Sequence, residues 1–422
     1  MPNFPLTAGF RANVCRFIIF GFLFFSTGFR QVTVFAQESP WEKPYVGNNR
    51  DLLYYPDQNA VYFRYGWENN KRQGIIIKGK VPDARYFSFN LYNDYTKSSI
   101  LSLADYEILP DKEDASSFTI HIMPEGNTEK FSNLIILPDS VNIASVFLRY
   151  YLPHENIYAN RPLPNIYLLE NGKWVPAKPS IPQPTLTKAD QAKLKSLITA
   201  NPKIISGKER KIIASSSATI QQKEPIISKV LTMPVFSHCT DPSNINAYNF
   251  DPGGNYPNKD NHYIVMPVVR KRDDLLVVRF KAPVFAKQLG DTTKEVRYFS
   301  ISEGNEYTNT SLTLNDEQLS VNSDGFVYVV VAKETRKIRT KLMEMGFNFM
   351  PWLHKDKLVL ILRHMLPSSG FKYSTAKVPQ FDKGRPAKGQ EAQVVIGDYA
   401  LTGKLISKSE WKAINSIGQL GF

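Results

Sequence analysis

Cysteine is almost absent from this chain of 422 residues. Only two cysteines occur, and Cys15 lies in the N-terminal segment that we predict to be removed. The rest of the chain keeps Cys239 alone and so cannot close an internal disulfide. Long apolar runs are also missing after residue 36, where no segment has the roughly 20 apolar residues that a membrane-spanning helix needs.

Established catalytic motifs are missing as well. The chain contains no G-x-S-x-G, H-E-x-x-H or C-x-x-C motif and no glycine-rich phosphate loop. Among its six histidines, His238 lies beside Cys239 and Asp241, with His262 farther on. An imidazole and a thiolate suit zinc. Three ligands so close together in one loop do not easily surround an ion, so we predict neither a metal nor a cofactor.

The first 36 residues have the composition of a secretory signal peptide. They contain no acidic residue, carry Arg11 and Arg16 ahead of an apolar run, and end in Val34-Phe35-Ala36. The apolar stretch 17–29 is much shorter than the roughly 20 residues of a retained anchor. We therefore expect removal near Ala36 and a secreted or periplasmic protein without a transmembrane helix in its mature chain.

An internal duplication runs through the sequence. The phrase RYFSFNLYNDYT at 85–96 returns as RYFSISEGNEYT at 297–308. Three further segments return in the same order: 55–63 at 256–264, 75–82 at 276–283, and 146–153 at 360–367. An insertion at 285–295 explains why the later phrases are farther apart than the earlier ones. Each half of the chain therefore contains the same elements in the same order.

Short β-branched and aromatic runs between turn residues predict strands in both halves. Phe87 and Phe89 alternate with Ser88 and Asn90, as in a strand with one solvent-exposed face. We predict a mainly β chain with two tandem duplicated, jelly-roll-like β-sandwich domains, joined by a basic linker with a short helix. The predicted boundaries are signal peptide 1–36, first sandwich 45–177, linker 178–235, second sandwich 236–382, and basic C-terminal tail with a short helix 383–422.

Positive charge lies mostly outside the predicted sandwiches. Of the formal net charge of +13, residues 1–36 carry +3, 178–229 carry +7 and 383–412 carry +3. We predict that Lys178 to Lys229 contacts an anionic envelope polymer or a lipid surface, with a merely solvated linker as the alternative. Nucleic acid is not an expected partner, because the chain is predicted to be exported and has no known nucleic-acid-binding module.

Helix signals occur in the linker and near the C-terminus. Residues 187–201 combine a helix start at T-K-A-D with an apolar face and an Asn-Pro stop. Ser407 and Glu410 form a capping pattern ahead of Trp411 and Ile414, which predicts a short helix that packs on a domain.

Residues present in both copies are the candidate site. Guanidinium groups suit carboxylates, phosphates and sugar acids, and aromatic rings suit sugar faces. The candidate ligand-binding residues are Arg85, Tyr86, Tyr95, Arg149, Arg297, Tyr298, Tyr307 and Arg363. The alternative is a framework role, in which Arg149 and Arg363 pair with an internal acid or with backbone carbonyls. We favour the framework role, because duplication of a fold copies its framework residues first.

Several phrases resemble known sequences. In the second half, YPNKDNHYIVMPV, LLVVRFKAPVF, VRYFS and LILRHMLPSSGF resemble a group of uncharacterised secreted bacterial proteins. In the first half, RYFSFNLYNDY and VFLRYYLP look like β-sandwich domains of unknown function that occur in tandem in related envelope proteins. The resemblance covers most of residues 50–382. It implies a tandem sandwich fold and export, without a settled activity or cofactor.

Two functions follow from these features. We expect an exported envelope or extracellular protein that binds a glycan, a lipid-derived ligand or another protein without catalysis. The alternative is a hydrolase that acts on an envelope or extracellular polymer through carboxylates in the groove between the domains. Its candidate acids are Asp94, Asp105, Glu306 and Asp316. Glycoside cleavage needs two carboxyl groups about 5 to 10 Å apart, so the positions of these acids decide between the two functions.

Overall fold

The computed structural model describes most of the chain from residue 39 onward, and residues 39–422 form one compact unit. The described residues are 39–46, 55–69, 73–153, 162–182, 206–215, 222, 223, 226, 245–250, 256–269, 275–305, 309–333, 336–354, 357–381, 389 and 391–422. Five predicted features lie outside them: the signal peptide, the helix at 187–201, the cluster from His238 to Asp241, Glu306 and Tyr307. No helix within these ranges combines the length and apolar character needed to cross a membrane.

Ten strands are described in the first half. They are β1 (Tyr45–Val46), β2 (Ala60–Glu68), β3 (Ile75–Lys80), β4 (Ala84–Asn93), β5 (Ser98–Ala104), β6 (Ser117–Pro124), β7 (Leu134–Leu137), β8 (Ile143–Pro153), β9 (Asn165–Glu170) and β10 (Lys173–Pro176). They form two five-stranded sheets with the orders β1–β2–β8–β4–β5 and β10–β9–β3–β6–β7. Neighbouring strands are antiparallel apart from β6 and β7, which pair in parallel.

Ten more strands are described in the second half. They are β11 (Asn249–Phe250), β12 (Asn261–Val269), β13 (Leu275–Lys281), β14 (Tyr298–Gly304), β15 (Thr310–Asn315), β16 (Phe326–Ala332), β17 (Asn348–Pro351), β18 (Lys357–Met365), β19 (Gln380–Phe381) and β20 (Thr402–Ile406). Two sheets have the orders β12–β18–β14–β15 and β17–β16–β13–β20, and β11 pairs with β19. The pairs β16–β17 and β11–β19 are parallel.

The two halves share one strand order. The sheet β2–β8–β4–β5 corresponds to β12–β18–β14–β15, and β9–β3–β6–β7 corresponds to β20–β13–β16–β17. Even the parallel pair at one edge, β6–β7 or β16–β17, is present in both. The repeat in the sequence therefore has a counterpart in the topology. The mainly β fold of β-sandwich type is confirmed, whereas the parallel pairs were not part of the prediction.

Each half has its own core, formed where its two sheets face each other. Phe89 and Phe118 lie in the first core, and their rings are 5.5 Å apart. Ser88 and Asn90, on the opposite face of β4, are fully buried. The prediction of a solvent-exposed face on this strand is therefore wrong, because that face packs against the second half of the chain.

Four α-helices are described: Gly207–Ala214, Arg336–Glu344, Ala392–Ile396 and Lys408–Ala413. Short 3-10 helices lie at Thr375–Lys377, Gly397–Tyr399 and Ile417–Leu420. The described linker helix is exposed and has no buried residue. Within the predicted C-terminal tail, β20 pairs with β13 and so extends a sheet of the second half. The predicted capping box of Ser407 and Glu410 is present, and Trp411 is buried.

Candidate functional site

The four duplicated arginines and two of the duplicated tyrosines, Tyr86 and Tyr298, meet between the two halves. One face of β2–β8–β4–β5 packs against the equivalent face of β12–β18–β14–β15, and a small buried cluster joins them. Tyr86 and Tyr151 of the first half lie there beside Tyr298 of the second, and the last two rings are 5.5 Å apart. We call the polar contacts across this face the clasp. Its four arginines are Arg85, Arg149, Arg297 and Arg363.

Two ion pairs of the clasp are reciprocal. Arg85 of the first half pairs with Asp316 of the second at 2.5 Å, and also with Glu317. Arg297 of the second half pairs with Asp105 of the first at 2.6 Å. Asp105 and Asp316 are equivalent, since each donates its backbone N–H to the phenylalanine carbonyl of the neighbouring strand at 3.0 Å. Each half therefore supplies one arginine and one aspartate to the same exchange.

The other two arginines also reach across, but with different partners. Arg363 pairs with the fully buried Asp57 and donates to the Tyr55 carbonyl at 3.2 Å. Arg149 donates to the equivalent Tyr256 carbonyl at 2.8 Å and to the Tyr92 hydroxyl at 2.7 Å.

No carboxylate pairs with Arg149 among the described residues. Asn258 occupies the position that Asp57 has in the first half, three residues before a paired strand begins. One equivalent site thus contains a buried ion pair, and the other contains a buried cation held by neutral oxygens and aromatic rings.

The duplicated tyrosines donate to acids of the opposite half. The Tyr86 hydroxyl is 2.5 Å from Asp260, and the Tyr298 hydroxyl is 2.8 Å from Asp57. Burial, together with the adjacent carboxylate, raises the pKa of both tyrosines well above the ordinary value. Both hydroxyls are therefore protonated donors at neutral pH. Tyr95 differs from them, because its side chain is 44% exposed and lies outside the clasp.

Three candidate acids for hydrolysis are engaged by cations. Asp94 lies 2.5 Å from Arg64 and also accepts from Ser145 and from the Tyr256 hydroxyl. Asp105 and Asp316 belong to the reciprocal ion pairs. Burial raises the pKa of Asp316 to about 6, although Arg85 opposes this shift. These acids act as partners of arginine within the protein, and Glu306 lies outside the described residues.

Unusual backbone geometry accompanies the clasp in both halves. Tyr55 and Tyr256 have φ of 53° and 54°, and Leu152 and Leu366 have φ of 45° and 44°. Positive φ is rare for such bulky residues and costs about 1 to 3 kcal/mol at each position. The two tyrosines place their carbonyls in reach of Arg363 and Arg149. Backbone strain therefore occurs at equivalent positions in both halves, next to the residues that contact the opposite half.

The insertion at 285–295, absent from the first copy, also touches the opposite half. Leu289 packs against the first core, and the Gly290 N–H donates to Asp105 at 2.9 Å. The Arg85 guanidinium lies 5.4 Å from the centroid of the Phe285 ring. This segment therefore closes one edge of the clasp.

A cleft opens beside the clasp. Its volume is about 290 Å³, which is near the lower limit for small-molecule pockets. Tyr106 of the first half lines it together with second-half residues. Those with polar side chains are Lys259, Asp260, His262, Ser368, Ser369, Ser374 and Lys377. Asp260 is buried, which raises the pKa of its carboxyl group. The hydroxyl of Ser374 is buried and has no hydrogen-bond partner among the described residues.

His262 lines the cleft and is paired with His364 on the neighbouring strand β18. His364 is fully buried, and its Nδ1 accepts from the Thr375 N–H at 3.2 Å. Burial lowers the pKa of His364 to about 3, with a smaller contribution from His262. Burial also lowers the pKa of His262. Both imidazoles are therefore neutral at pH 7, and the two lysines supply the positive charge of the cleft.

Comparison with known proteins identifies a fold and no function. No protein-family model and no curated protein matches the chain. An uncharacterized protein from Burkholderia cenocepacia has a similar structure, with a TM-score of 0.50 and 11% identity over 85% of this chain and 79% of that one. The VPA0106 protein from Vibrio parahaemolyticus has a TM-score of 0.43 and 12% identity over 84% and 90% of the two chains.

The likeness to the Burkholderia protein shows the fold alone. That protein is itself bacterial and uncharacterised, as the sequence resemblance implied. The export of this protein and its membership of a family with tandem domains remain predictions.

The clasp arginines and tyrosines were found from the sequence because they are repeated, but their partners were not. Asp57 and Asp260 occupy different positions in the two copies, so comparison of the copies does not reveal them. The cleft residues were missed for the same reason. Lys377 and Ser374 follow the last repeated phrase, and only the unmatched His262 had been considered, as a metal ligand.

Proposed function

We propose that this is an exported, non-enzymatic binding protein of the bacterial envelope or extracellular space. The cleft beside the clasp is its ligand site. The ligand is a monosaccharide-sized group that has several hydroxyls and one negative charge, such as a sugar acid or a phosphorylated sugar within a glycan.

The chemistry of the cleft supports this ligand class. Lys259 and Lys377 place two cations at its wall, where a carboxylate or phosphate accepts charge-assisted hydrogen bonds. Ser374 offers a buried hydroxyl that has no partner among the described residues. Buried polar groups rarely stay without a partner, so a hydroxyl of the ligand suits this position. The exposed ring of Tyr106 suits the face of a sugar.

One observation favours binding over hydrolysis. Among the described residues that line the cleft, Asp260 is the single carboxylate, and Tyr86 donates to it. Glycoside cleavage by the common mechanism needs two carboxyl groups flanking the scissile bond. The acids that were candidates for this role, Asp94, Asp105 and Asp316, are each engaged by an arginine instead.

The linker has a separate part in this proposal. The helix Gly207–Ala214 exposes Lys208, Arg210 and Lys211, which suit contact between Lys178–Lys229 and an anionic envelope polymer. This contact is peripheral and needs no pocket.

A glycan array with residues 37–422 tests the ligand class. We expect binding to glycans that contain uronic acids or sugar phosphates. The double variant K259Q/K377Q should lower the affinity about tenfold or more, because hydrogen bonds to charged groups contribute about 1.5 to 3 kcal/mol. The matched control K112Q/K130Q removes two exposed lysines of the first half and should bind like the parent. Unchanged binding by K259Q/K377Q would place the ligand elsewhere, and release of new reducing ends would favour the hydrolase.

A further inference from the structure

Two helices cover the outer sheet of the second half. Leu342 and Trp411 from these helices pack with Tyr328 and Val330 of β16 in a separate apolar cluster. The Lys341 ammonium lies 5.3 Å from the centroid of the Trp411 ring and so connects the helices Arg336–Glu344 and Lys408–Ala413. We call the solvent side of these helices, together with Lys333, the two-helix surface.

The two helices of this surface are rich in basic residues. They contain six basic residues, and their two acids are Glu344 and Glu410. Glu410 accepts from the Ser407 N–H at 2.8 Å in the capping box, and the six basic residues of these helices still exceed the two acids. Lys333, Lys408 and Lys412 are exposed. These lysines have no described carboxylate partner, unlike Lys80, which pairs with Asp114 on the first half.

Among the described residues, no such layer covers the equivalent face of the first half. There the connection between β6 and β7, residues 125–133, contains no helix. The equivalent connection between β16 and β17 contains the helix Arg336–Glu344. The basic layer is therefore an addition to one copy, placed where the two copies disagree. A structural role common to both copies does not explain the basic layer, because only one copy contains it.

We infer that the two-helix surface docks onto an anionic phospholipid bilayer. A bilayer presents a planar layer of negative charge that can meet the exposed Arg339 of the first helix together with Lys408 and Lys412 of the second. Each such cation strengthens binding several-fold. Met343 of the first helix is 67% exposed and suits contact with the headgroup region. Leu342 and Trp411 are already buried in the protein, so binding is electrostatic and peripheral. It requires neither a ligand in the cleft nor the linker.

Vesicle sedimentation tests this inference on residues 37–422, which include the compact unit but lack the apolar signal segment. The vesicles contain phosphatidylcholine alone or with phosphatidylglycerol, in low or high salt. We expect binding to the anionic vesicles at low salt only. The variant K333Q/K408Q/K412Q should reduce this binding about tenfold or more. The matched control K112Q/K130Q/K173Q removes the same charge from exposed positions of the first half and should bind like the parent.

A second variant, K208Q/R210Q/K211Q, removes the same charge from the linker helix and separates the two basic regions. The inference is wrong if the parent does not sediment with anionic vesicles, or if the control variant loses as much binding as K333Q/K408Q/K412Q. If only K208Q/R210Q/K211Q loses binding to anionic vesicles, the inference is wrong and the linker makes the membrane contact. Binding to an anionic polysaccharide but not to vesicles would also overturn it. Equal melting temperatures of all variants show that folding is unchanged.

Discussion

At the scale of single residues, Arg149 and Arg363 occupy equivalent strand positions and are both buried, yet their electrostatic environments differ. Arg363 neutralises Asp57, whose carboxylate also accepts from Tyr298 and Ser300. Arg149 is held by a carbonyl, a hydroxyl and aromatic rings. Removal of Arg363 would therefore leave a buried charge without its counter-ion, whereas removal of Arg149 would not.

This difference predicts unequal effects of the same substitution. R363M should lower the free energy of unfolding by about 3 to 5 kcal/mol, the usual cost of breaking a buried ion pair. R149M should lower it by less, about 1.5 to 3 kcal/mol, because it removes charge-assisted hydrogen bonds to neutral oxygens and leaves no unpaired charge behind. Urea denaturation of both variants measures the two costs. Equal losses would mean that the Asp57 ion pair is not what makes Arg363 important.

His364 predicts a pH-dependent stability. Its pKa is about 3 when folded and near 6.5 when exposed, so between these values the unfolded chain binds a proton that the folded chain does not. This histidine therefore contributes stability that is fully present above about pH 6.5 and is lost as the pH falls toward 3, by about 1.4 kcal/mol per pH unit. H364Q has no titratable group at this position, so its free energy of unfolding should depend less steeply on pH than that of the parent.

The measurement is the difference in unfolding free energy between H364Q and the parent from pH 4 to pH 7. A difference is needed because Asp316, with its raised pKa of about 6, has the opposite effect, destabilising the fold as the pH rises. H262Q is a control that should change the pH dependence less than H364Q does. His262 is only partly buried, and its pKa is also lowered. A pH dependence in H364Q as steep as in the parent would contradict this assignment.

At the scale of elements, two helices have the same capping box but different surroundings. Ser206 and Glu209 cap the linker helix, which buries no residue. Ser407 and Glu410 cap the last helix, which buries Trp411 against Phe347. Local sequence therefore specifies both helix starts, and only tertiary contacts decide which helix takes part in global folding.

S407A should lower the global free energy of unfolding by about 1 kcal/mol, the typical cost of losing a side-chain cap. S206A removes an equivalent hydrogen bond and serves as the control. Because the linker helix has no buried residue, S206A should leave global unfolding within about 0.5 kcal/mol of the parent, as expected for a surface substitution. Thermal and urea denaturation report both values. A similar loss in S206A would show that the linker helix folds together with the sandwiches.

Sequence patterns predicted local elements better than their surroundings. Asn322, Ser323, Asp324 and Gly325 are residue types that favour a turn, and the turn is present. Gly325 has φ 82°, and its N–H donates to the Asn322 carbonyl. Ser88 and Asn90 were assigned to solvent because polar residues on alternate positions ordinarily face water. In this protein the polar face packs on a second polar face. Periodicity reports which side of a strand is polar, but it does not report what covers that side.

At the scale of the whole molecule, the repeat predicted two bodies of one fold type but not how they join. The linkage depends on exchanges such as Arg85 with Asp316 and Arg297 with Asp105, whose members are far apart in sequence. A single sequence contains no signal for such pairs. The cleft arises at this junction, so its residues could not be predicted before the junction was known. The presence of the arginines in both copies indicated that they matter, but only the structure identified the acids and carbonyls with which they pair.

The clasp also predicts how the molecule unfolds. Its acids Asp57, Asp105 and Asp316 are nearly fully buried, and each pairs with an arginine of the opposite half. Because breaking a buried ion pair costs about 3 to 5 kcal/mol, loss of all three should weaken the contact between halves more than either core. We expect the parent to give one cooperative calorimetric transition. D57N/D105N/D316N should give two transitions, with the first well below the melting temperature of the parent.

The matched control for this prediction is D114N/D324N/D398N, which removes three exposed carboxylates and therefore changes the net charge equally. It should melt in one transition near the parent, since exposed ion pairs contribute only about 0 to 1 kcal/mol. If the clasp variant also melts in one transition at the parent temperature, apolar contacts such as those among Tyr86, Tyr151 and Tyr298 join the halves without help from charge. Separation into two transitions in both variants would instead indicate that net charge alone governs the coupling.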